Sequence, residues 1–222
     1  MFTKQAHIDG LLEQKLLPLF YHDSADTSVL VLEALYGAGI RYVEYTNRGA
    51  AAPANFGVLR AAASHMPGLQ LGIGTIKNPQ QAEQYLAFGA DFIICPSMNA
   101  EVAAVAAAAG RLWIPGCMTP TEIAAAENAG ATLVKIFPGN ILGPGFISAV
   151  KDLFPGMRFL VTGGVEAEAE NLASWFRAGV SGVGMGSKLL TKALVEAGDV
   201  KGLMAATGHA LALVQEGQHA QI

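Results

Sequence analysis

The chain has 222 residues, of which 52% are hydrophobic and 14% charged, and its formal net charge at pH 7 is -4. This length and composition predict a globular protein with a sizeable core, in one domain over residues 1–222 because no linker or charged run divides the chain. The net charge and scattered basic residues disfavour a nucleic-acid partner, and the roughly 18 apolar residues that a membrane-spanning helix needs do not occur together.

The usual sequence signals for export, disulfides and metal binding are missing. The N-terminal segment has charges inside its apolar pattern, unlike a secretory signal, so we expect a cytoplasmic protein. Cys95 and Cys117 are too few for a disulfide framework and lack CxxC spacing, and we interpret both as reduced packing residues. The five histidines form no HxH or HExxH pairing, so we expect no metal site.

Short apolar runs alternate with Ala- and Leu-rich stretches of helical spacing. After a helix over residues 3–15, strands are predicted to begin near residues 16, 42, 70, 92, 112, 133, 158 and 182. Several intervening helices start at Asn, Ser or Thr and end at Gly, as helix boundaries do, and a final helical region covers 195–217. Eight alternating strands and helices predict parallel βαβ units closed into an α/β, (β/α)8 TIM barrel with an extra N-terminal helix.

Polar residues on the second strand are candidates for chemistry, because ligand sites in such barrels lie at the C-terminal strand ends. In VEYTNR, Glu44, Thr46 and Arg48 alternate and so point to one face. We interpret Glu44 as a general acid or base beside a carboxylate-binding Arg48. The alternative is an ion pair that closes one end of the barrel.

Lys135 stands in LVKIFPGN, a run that otherwise predicts a buried strand. If Glu44 and Arg48 face the barrel interior, Lys135 is expected to face it too. Burial and a neighbouring cation would lower the pKa of the Lys135 amine and prepare it to attack a ketone and form an imine. A structural salt bridge with Glu44, or a lysine that reaches out to solvent at the strand end, is the alternative.

Other strand ends offer binding groups. In GIGTI, Gly74 lets the backbone approach a ligand and Thr75 offers a hydroxyl and an N–H to a carboxylate. Pro96 and Phe137 can form a small apolar wall for a methyl group, although packing alone would also explain them. His22, at the end of the first strand, is interpreted as part of a polar loop or lid.

The last two strands end in VTGGVEAEAE and GMGSKLL, each interpreted as a glycine-rich turn that opens a helix. Phosphate sites in barrels are often built from these two loops, because glycine turns and free N–H groups at a helix start can surround an anion. Ser187 can donate to such a phosphate or simply cap its helix.

The ordered set VEYTNR, GIGTI, FIICPS, IPGCMTPTE, VKIFP, VTGGV and GMGSKLL resembles the class I KDPG/KHG aldolases over about residues 5 to 215. These enzymes cleave 2-keto-3-deoxy-6-phosphogluconate (KDPG) or 4-hydroxy-2-oxoglutarate (KHG). The resemblance implies a (β/α)8 barrel, usually a homotrimer, with Lys135 as the Schiff-base lysine and Glu44 as the acid/base carboxylate.

The resemblance also implies roles for the binding residues. Arg48 and Thr75 would hold the pyruvyl carboxylate, and Pro96 and Phe137 would line the pyruvyl methyl group. The substrate-tail and phosphate end would consist of Thr162, Gly163, Gly164, Gly184, Gly186 and Ser187. Family members often carry FPAE where this chain has FPGN, SPG where it has CPS, and an Arg on the first strand where it has LPLFYHD.

The sequence thus predicts a class I aldolase that cleaves a 2-keto-3-deoxy-6-phospho sugar acid, KDPG first, into pyruvate and glyceraldehyde 3-phosphate. The iminium serves as the electron sink, so no metal or organic cofactor is expected. The phosphogalactonate analogue of KDPG and KHG are alternative substrates. Alternatives of another kind are a sugar-phosphate isomerase or epimerase, and a barrel that binds a phosphorylated ligand without turnover.

Overall fold

The computed structural model describes residues 3–219, and within this range nine parallel strands form one sheet that is wound into a barrel. The strands are β1 Leu16–Phe20, β2 Tyr42–Thr46, β3 Gln70–Gly74, β4 Phe92–Ile94, β5 Leu112–Ile114, β6 Gly116–Cys117, β7 Leu133–Ile136, β8 Arg158–Thr162 and β9 Gly182–Met185. The helices are α1 Lys4–Gln14, α2 Ala25–Gly37, α3 Ala52–Ala63, α4 Pro79–Ala87, α5 Ala100–Ala108, α6 Pro120–Asn128, α7 Gly139–Val150, α8 Ala169–Ala178, α9 Lys192–Glu196 and α10 Val200–His219, with a 3₁₀ turn at Lys151–Leu153. The predicted α/β barrel with an N-terminal helix is confirmed.

The barrel closes between β5 and β6, which follow each other directly in the chain. The strand order is β5-β4-β3-β2-β1-β9-β8-β7-β6, and β5 and β6 at its two ends are separated by Pro115 alone. Proline has no N–H to donate to a neighbouring strand, whereas its carbonyl still accepts the Lys135 N–H at 2.8 Å. The eight predicted strands therefore become nine segments, because the fifth is interrupted at this proline.

The helix boundaries follow the capping residues of the sequence. The side chains of Ser24, Asn78 and Asn99 accept a backbone N–H from the first turn of α2, α4 and α5. The recurring glycine before a strand ends the preceding helix with a positive φ, as at Gly39 (φ 100°) after α2. In the final region, α9 and α10 are separate helices.

The barrel interior is apolar at its N-terminal end, where α1 covers it. Ile8 and Leu11 of α1 are 6% and 1% exposed, and each contributes about 1.5–3 kcal/mol by burial. They join a cluster that contains Leu17, Tyr42, Phe92, Ile94, Leu112, Ile114, Leu133 and Leu160. Apolar side chains fill most of this end, and the buried Glu44 and Lys135 lie further along β2 and β7. None of the helices between residues 3 and 219 is both long and apolar enough to cross a membrane.

Candidate active site

Glu44 is held inside the barrel by β2. It pairs with Leu19 of β1 and Gly72 of β3, and is 1% exposed. The room for its carboxylate comes from Gly74, because a Cβ built there would lie 1.7 Å from Glu44 Oε1. The glycines of GIGTI therefore make space for a neighbouring side chain.

The environment of Glu44 suits proton transfer. Burial raises the pKa of its carboxyl above the usual range, and the nearby positive charges of Lys135 and Arg48 act in the opposite direction. Oε2 is buried and has no hydrogen-bond partner within the described residues. An unpartnered buried carboxylate oxygen is costly for folding, about 1–3 kcal/mol, and such groups concentrate at functional sites. Glu44 can therefore accept a proton from a reacting group.

Lys135 faces the same interior from β7 and is 5% exposed. Its backbone is fixed between Gly116 of β6 and Leu160 of β8, and its Nζ lies 5.4 Å from the centroid of the Phe137 ring. Among residues 3–219, the ion pairs within 4.0 Å do not include Lys135 or Glu44. Both alternatives for Lys135, a structural salt bridge with Glu44 and a side chain that reaches solvent, are thus excluded. The Lys135 amine is buried where its charge acts on the Glu44 carboxyl, without a salt bridge between the two groups.

Thr75, predicted as a carboxylate ligand, follows β3 with a left-handed backbone, φ 61°. This conformation is rare for a β-branched residue and costs on the order of 1–3 kcal/mol. Thr75 is half-buried just after Gly74, which lies against the Glu44 carboxylate. The strained backbone keeps a hydroxyl and an N–H at the barrel mouth.

Pro96 and Phe137, predicted to line a methyl group, are both half-buried at strand ends. A Cβ at Gly116 would lie 2.3 Å from the Pro96 carbonyl oxygen, so β6 packs directly against this segment. Because Gly116 also pairs with Lys135, Pro96 lies against the strand next to the lysine, and Phe137 directly follows the lysine strand itself.

Arg48 is positioned by the loop after β2. Its N–H donates to the Thr46 carbonyl at 2.9 Å, and the N–H of the preceding Asn47 donates to Gly74 O at 2.9 Å. The buried Tyr85 of α4 donates its hydroxyl to Asn47 Oδ1 at 2.9 Å. Asn47 and Tyr85 were not predicted from the sequence, because a tyrosine in a helix and an asparagine in a loop carry no signal of their pairing.

Thr162 extends the polar interior at the end of β8. It is 9% exposed, and its Oγ1 has no partner within the described residues. Gly184 of β9 lies opposite, and a Cβ there would come within 2.5 Å of Oγ1. Gly184 therefore makes space for a hydroxyl that can hydrogen-bond a ligand inside the barrel.

The glycine turns after β8 and β9 do not open helices directly, contrary to the prediction. Gly163 and Gly164 have φ of 91° and 72°, but α8 begins only at Ala169. Ser187 lies in a turn, and Thr191 instead caps α9. In the turn after β9, the reason is the local packing of buried side chains.

Buried side chains stabilise the turn that follows β9. The N–H groups of Leu189 and Leu190 both donate to Gly186 O at 2.9 Å, and both side chains are buried. The two glycine loops are also joined to each other, because Lys188 Nζ lies 2.6 Å from Glu166 Oε1. Four of the predicted tail and phosphate residues, Gly163, Gly164, Gly186 and Ser187, thus lie in adjoining loops without a helix start directly behind them, whereas Thr162 and Gly184 lie within β8 and β9.

A cavity of about 340 Å³ opens beside these loops, over the ends of β1, β2 and β9. It is lined by Leu19, Phe20, Tyr21, His22, Arg48, Gly186, Ser187, Leu190, Lys192, Val195 and Glu196. Lys135 and Glu44 do not line it. Arg48 connects the two regions, because it lines the cavity and its charge acts on Glu44. We regard Lys135 and Glu44 as the chemical centre and the cavity as an adjoining region for the rest of a ligand.

Both cysteines are buried packing residues, as predicted. Burial raises the pKa of the Cys95 thiol to about 11 and that of Cys117 to about 12. Thiols with such pKa values are poor nucleophiles near neutral pH. Between residues 3 and 219, no three His, Cys, Asp or Glu side chains come together as ligands for a metal ion.

Comparison with known proteins resolves the family. The model of the family "KDPG and KHG aldolase" matches residues 8–206. The chain belongs to this family. It is an aldolase, a carbon–carbon lyase, which sets aside the isomerase and the binding barrel as alternatives.

Individual relatives agree with the assignment. The 2-dehydro-3-deoxy-6-phosphogalactonate aldolase of Escherichia coli is 39% identical over 54% of this chain and 58% of its own length. The 2-dehydro-3-deoxy-phosphogluconate aldolase of Pseudomonas aeruginosa is 31% identical over 88% of both chains. A solved structure of a 4-hydroxy-2-oxoglutarate/2-dehydro-3-deoxyphosphogluconate aldolase superposes with a TM-score of 0.79, at 32% identity over 93% of this chain and 98% of that one.

Proposed function

We propose that this aldolase cleaves a 2-keto-3-deoxy-6-phospho sugar acid, KDPG first, to pyruvate and glyceraldehyde 3-phosphate through a Schiff base on Lys135. The observation that carries the proposal is the pair of buried groups inside the barrel. An amine from β7 and a carboxyl from β2 share one interior without a salt bridge between them. Such an arrangement costs stability and fits covalent amine chemistry.

The reaction follows from these two groups. Lys135 Nζ attacks the C2 ketone, and loss of water gives a protonated imine. Glu44, directly or through one water, takes the proton of the C4 hydroxyl, and the C3–C4 bond breaks with its electrons moving to the iminium. The aldehyde leaves, the enamine is protonated at C3, and hydrolysis releases pyruvate and the free lysine.

The neighbouring residues orient the substrate. We assign Arg48 and Thr75 to the C1 carboxylate, which an Arg fork and an N–H bind well. Pro96 and Phe137 border the methyl group of the pyruvyl part. We assign the tail and its phosphate to Thr162, Gly163, Gly164, Gly184, Gly186 and Ser187.

The phosphogalactonate analogue is the second candidate substrate. The observation that favours it is the 39% identity to the Escherichia coli enzyme of that name, the highest among the relatives described above. The two substrates share the C1–C3 part and differ in stereochemistry beyond it, so Lys135 and Glu44 act alike on both.

The family resemblance also leads us to propose a cytoplasmic homotrimer.

Pyruvate release from KDPG, its phosphogalactonate analogue and KHG tests the proposal. We expect the phosphorylated acids to be cleaved with the higher kcat/KM. An equal kcat/KM for KHG, which has no phosphate, would overturn the assignment of the phosphate-binding residues. Lys135→Arg keeps the charge and should abolish cleavage, whereas the exposed Lys201→Arg is the matched control and should keep it.

A further inference from the structure

His22 follows β1 and lines the 340 Å³ cavity together with Arg48 and Ser187. Lys135 and Glu44 lie deeper, buried on β7 and β2, and do not line this cavity. Because Gly186 and Ser187, which are assigned to the tail, line the same cavity, a substrate bonded to Lys135 through C2 directs its far end toward His22. This places an imidazole next to the phosphorylated tail, which the six-carbon candidate substrates have and KHG lacks.

One hydrogen bond fixes the tautomer of this imidazole. His22 Nδ1 accepts the Ser24 N–H at 3.0 Å, so the ring proton is carried by Nε2. Among the residues that the structure describes, Nε2 has no protein partner. It is therefore a neutral donor on a cavity wall, available for an oxygen atom of a ligand.

The backbone of His22 is held unusually firmly. Its carbonyl accepts hydrogen bonds from Tyr45 Oη at 3.0 Å, Asn55 Nδ2 at 3.0 Å and Ser28 Oγ at 3.3 Å. All three donors are buried and come from β2, α3 and α2. A donor fixed in place from three elements loses little entropy when it binds a ligand.

The charges around the cavity favour this role for a neutral donor. Lys192 pairs with Glu196 at 3.4 Å, and within residues 3–219 Arg48 is the remaining cation of the lining. Since Arg48 is assigned to the carboxylate, the tail meets donors from His22 and Ser187 rather than a second free cation. A site built to hydrogen-bond a group of the substrate rejects an analogue that lacks that group, because the buried donor is then left unpaired.

We propose that His22 is a specificity-determining residue whose Nε2–H donates to the C5 hydroxyl or the C6 phosphate of the substrate tail. The inference rests on the proposed aldol cleavage and adds the contact that reads the tail. It predicts that His22 matters for six-carbon sugar acids and not for KHG, which ends in a C5 carboxylate and has neither a C5 hydroxyl nor a C6 phosphate.

Two variants separate the contact from the loop structure. In His22→Asn, the side-chain oxygen can still accept the Ser24 N–H in an Asx-type turn, but the amide is too short to replace Nε2. In His22→Gln, the amide nitrogen comes close to the position of Nε2. The melting temperature of each variant reports any purely structural effect.

We expect His22→Asn to lower kcat/KM for the preferred six-carbon acid by about 10- to 100-fold and to change that for KHG by less than twofold. His22→Gln should recover most of the loss. Equal effects on both substrates, or no effect on the six-carbon acids, would overturn the proposal. A wild-type enzyme that cleaves only KHG would also overturn the proposal for His22. In that case, imine trapping with pyruvate would still support the proposed aldolase function. Absence of imine trapping in the wild type would instead refute the proposed function, and the proposal with it.

Discussion

Gly74→Ala should disable the enzyme by moving Glu44. A Cβ at this position would lie 1.7 Å from Glu44 Oε1 and 2.5 Å from Cδ. Ordinary contacts are about 3.5 Å, so the carboxylate has to move by roughly 2 Å. A misplacement of about 1 Å already costs about 100-fold in rate, and we therefore expect kcat to fall by at least about 100-fold.

Gly72→Ala is the matched control on the same strand. A Cβ there would lie 2.1 Å from the Phe92 ring, in the apolar half of the barrel. Both substitutions overpack the interior, and each should lower the free energy of unfolding by about 1–3 kcal/mol. Only Gly74→Ala displaces a reacting group.

Two assays on both variants separate these effects: pyruvate release for kcat, and thermal unfolding for stability. We expect similar losses in melting temperature and a large loss of kcat in Gly74→Ala alone. If Gly74→Ala keeps a kcat within threefold of Gly72→Ala, while both are folded, the reasoning that Gly74 exists to admit a catalytic Glu44 is wrong.

Three further predictions concern the surroundings of the site. Burial raises the pKa of Glu44 above its ordinary value of 4.5, so the folded state holds this proton more tightly than the unfolded chain. The wild type therefore loses stability as the pH rises from about 4.5 through the raised pKa of Glu44. Glu44→Gln has no such proton to lose, so its melting temperature relative to that of the wild type should increase across this pH window. A constant difference between the two melting temperatures would contradict the raised pKa. Thr75→Gly relieves the positive φ, so we expect unchanged or higher stability with about tenfold lower kcat/KM, and a clear loss of melting temperature would argue against backbone strain. Tyr85→Phe removes the hydrogen bond to Asn47, which should cost about 1 kcal/mol in unfolding free energy and raise KM severalfold through Arg48; an unchanged KM would show that this bond does not position the arginine.

The sequence predicts much of the barrel because its local signals agree. Apolar runs, caps and helix-ending glycines occur in strict alternation, and the strands follow them. The interruption at Pro115 escapes such reasoning, since LWIPG is also a plausible continuous strand. Likewise, the late start of α8 depends on how the VTGGV loop packs, which is not visible in a pattern of glycines and acids.

At the candidate site, the period of two along β2 and β7 correctly places Glu44 and Lys135 in the same interior. What the sequence does not reveal is how that interior is shaped. Gly74 was interpreted as room for a ligand, whereas its missing side chain makes space for the Glu44 carboxylate. The tautomer of His22 depends on the Ser24 N–H, and the position of its backbone depends on three donors to its carbonyl, contacts that exist only in the folded chain.

Covalent trapping tests the central claim most directly. Wild-type enzyme is treated with pyruvate and borohydride, and the peptides are then mapped by mass spectrometry. We predict a reduced pyruvyl adduct on Lys135, and none in Lys135→Arg although Lys201→Arg is labelled like the wild type. A folded wild-type enzyme that acquires no adduct, or acquires it at another lysine, would contradict the assignment of Lys135 as the Schiff-base residue.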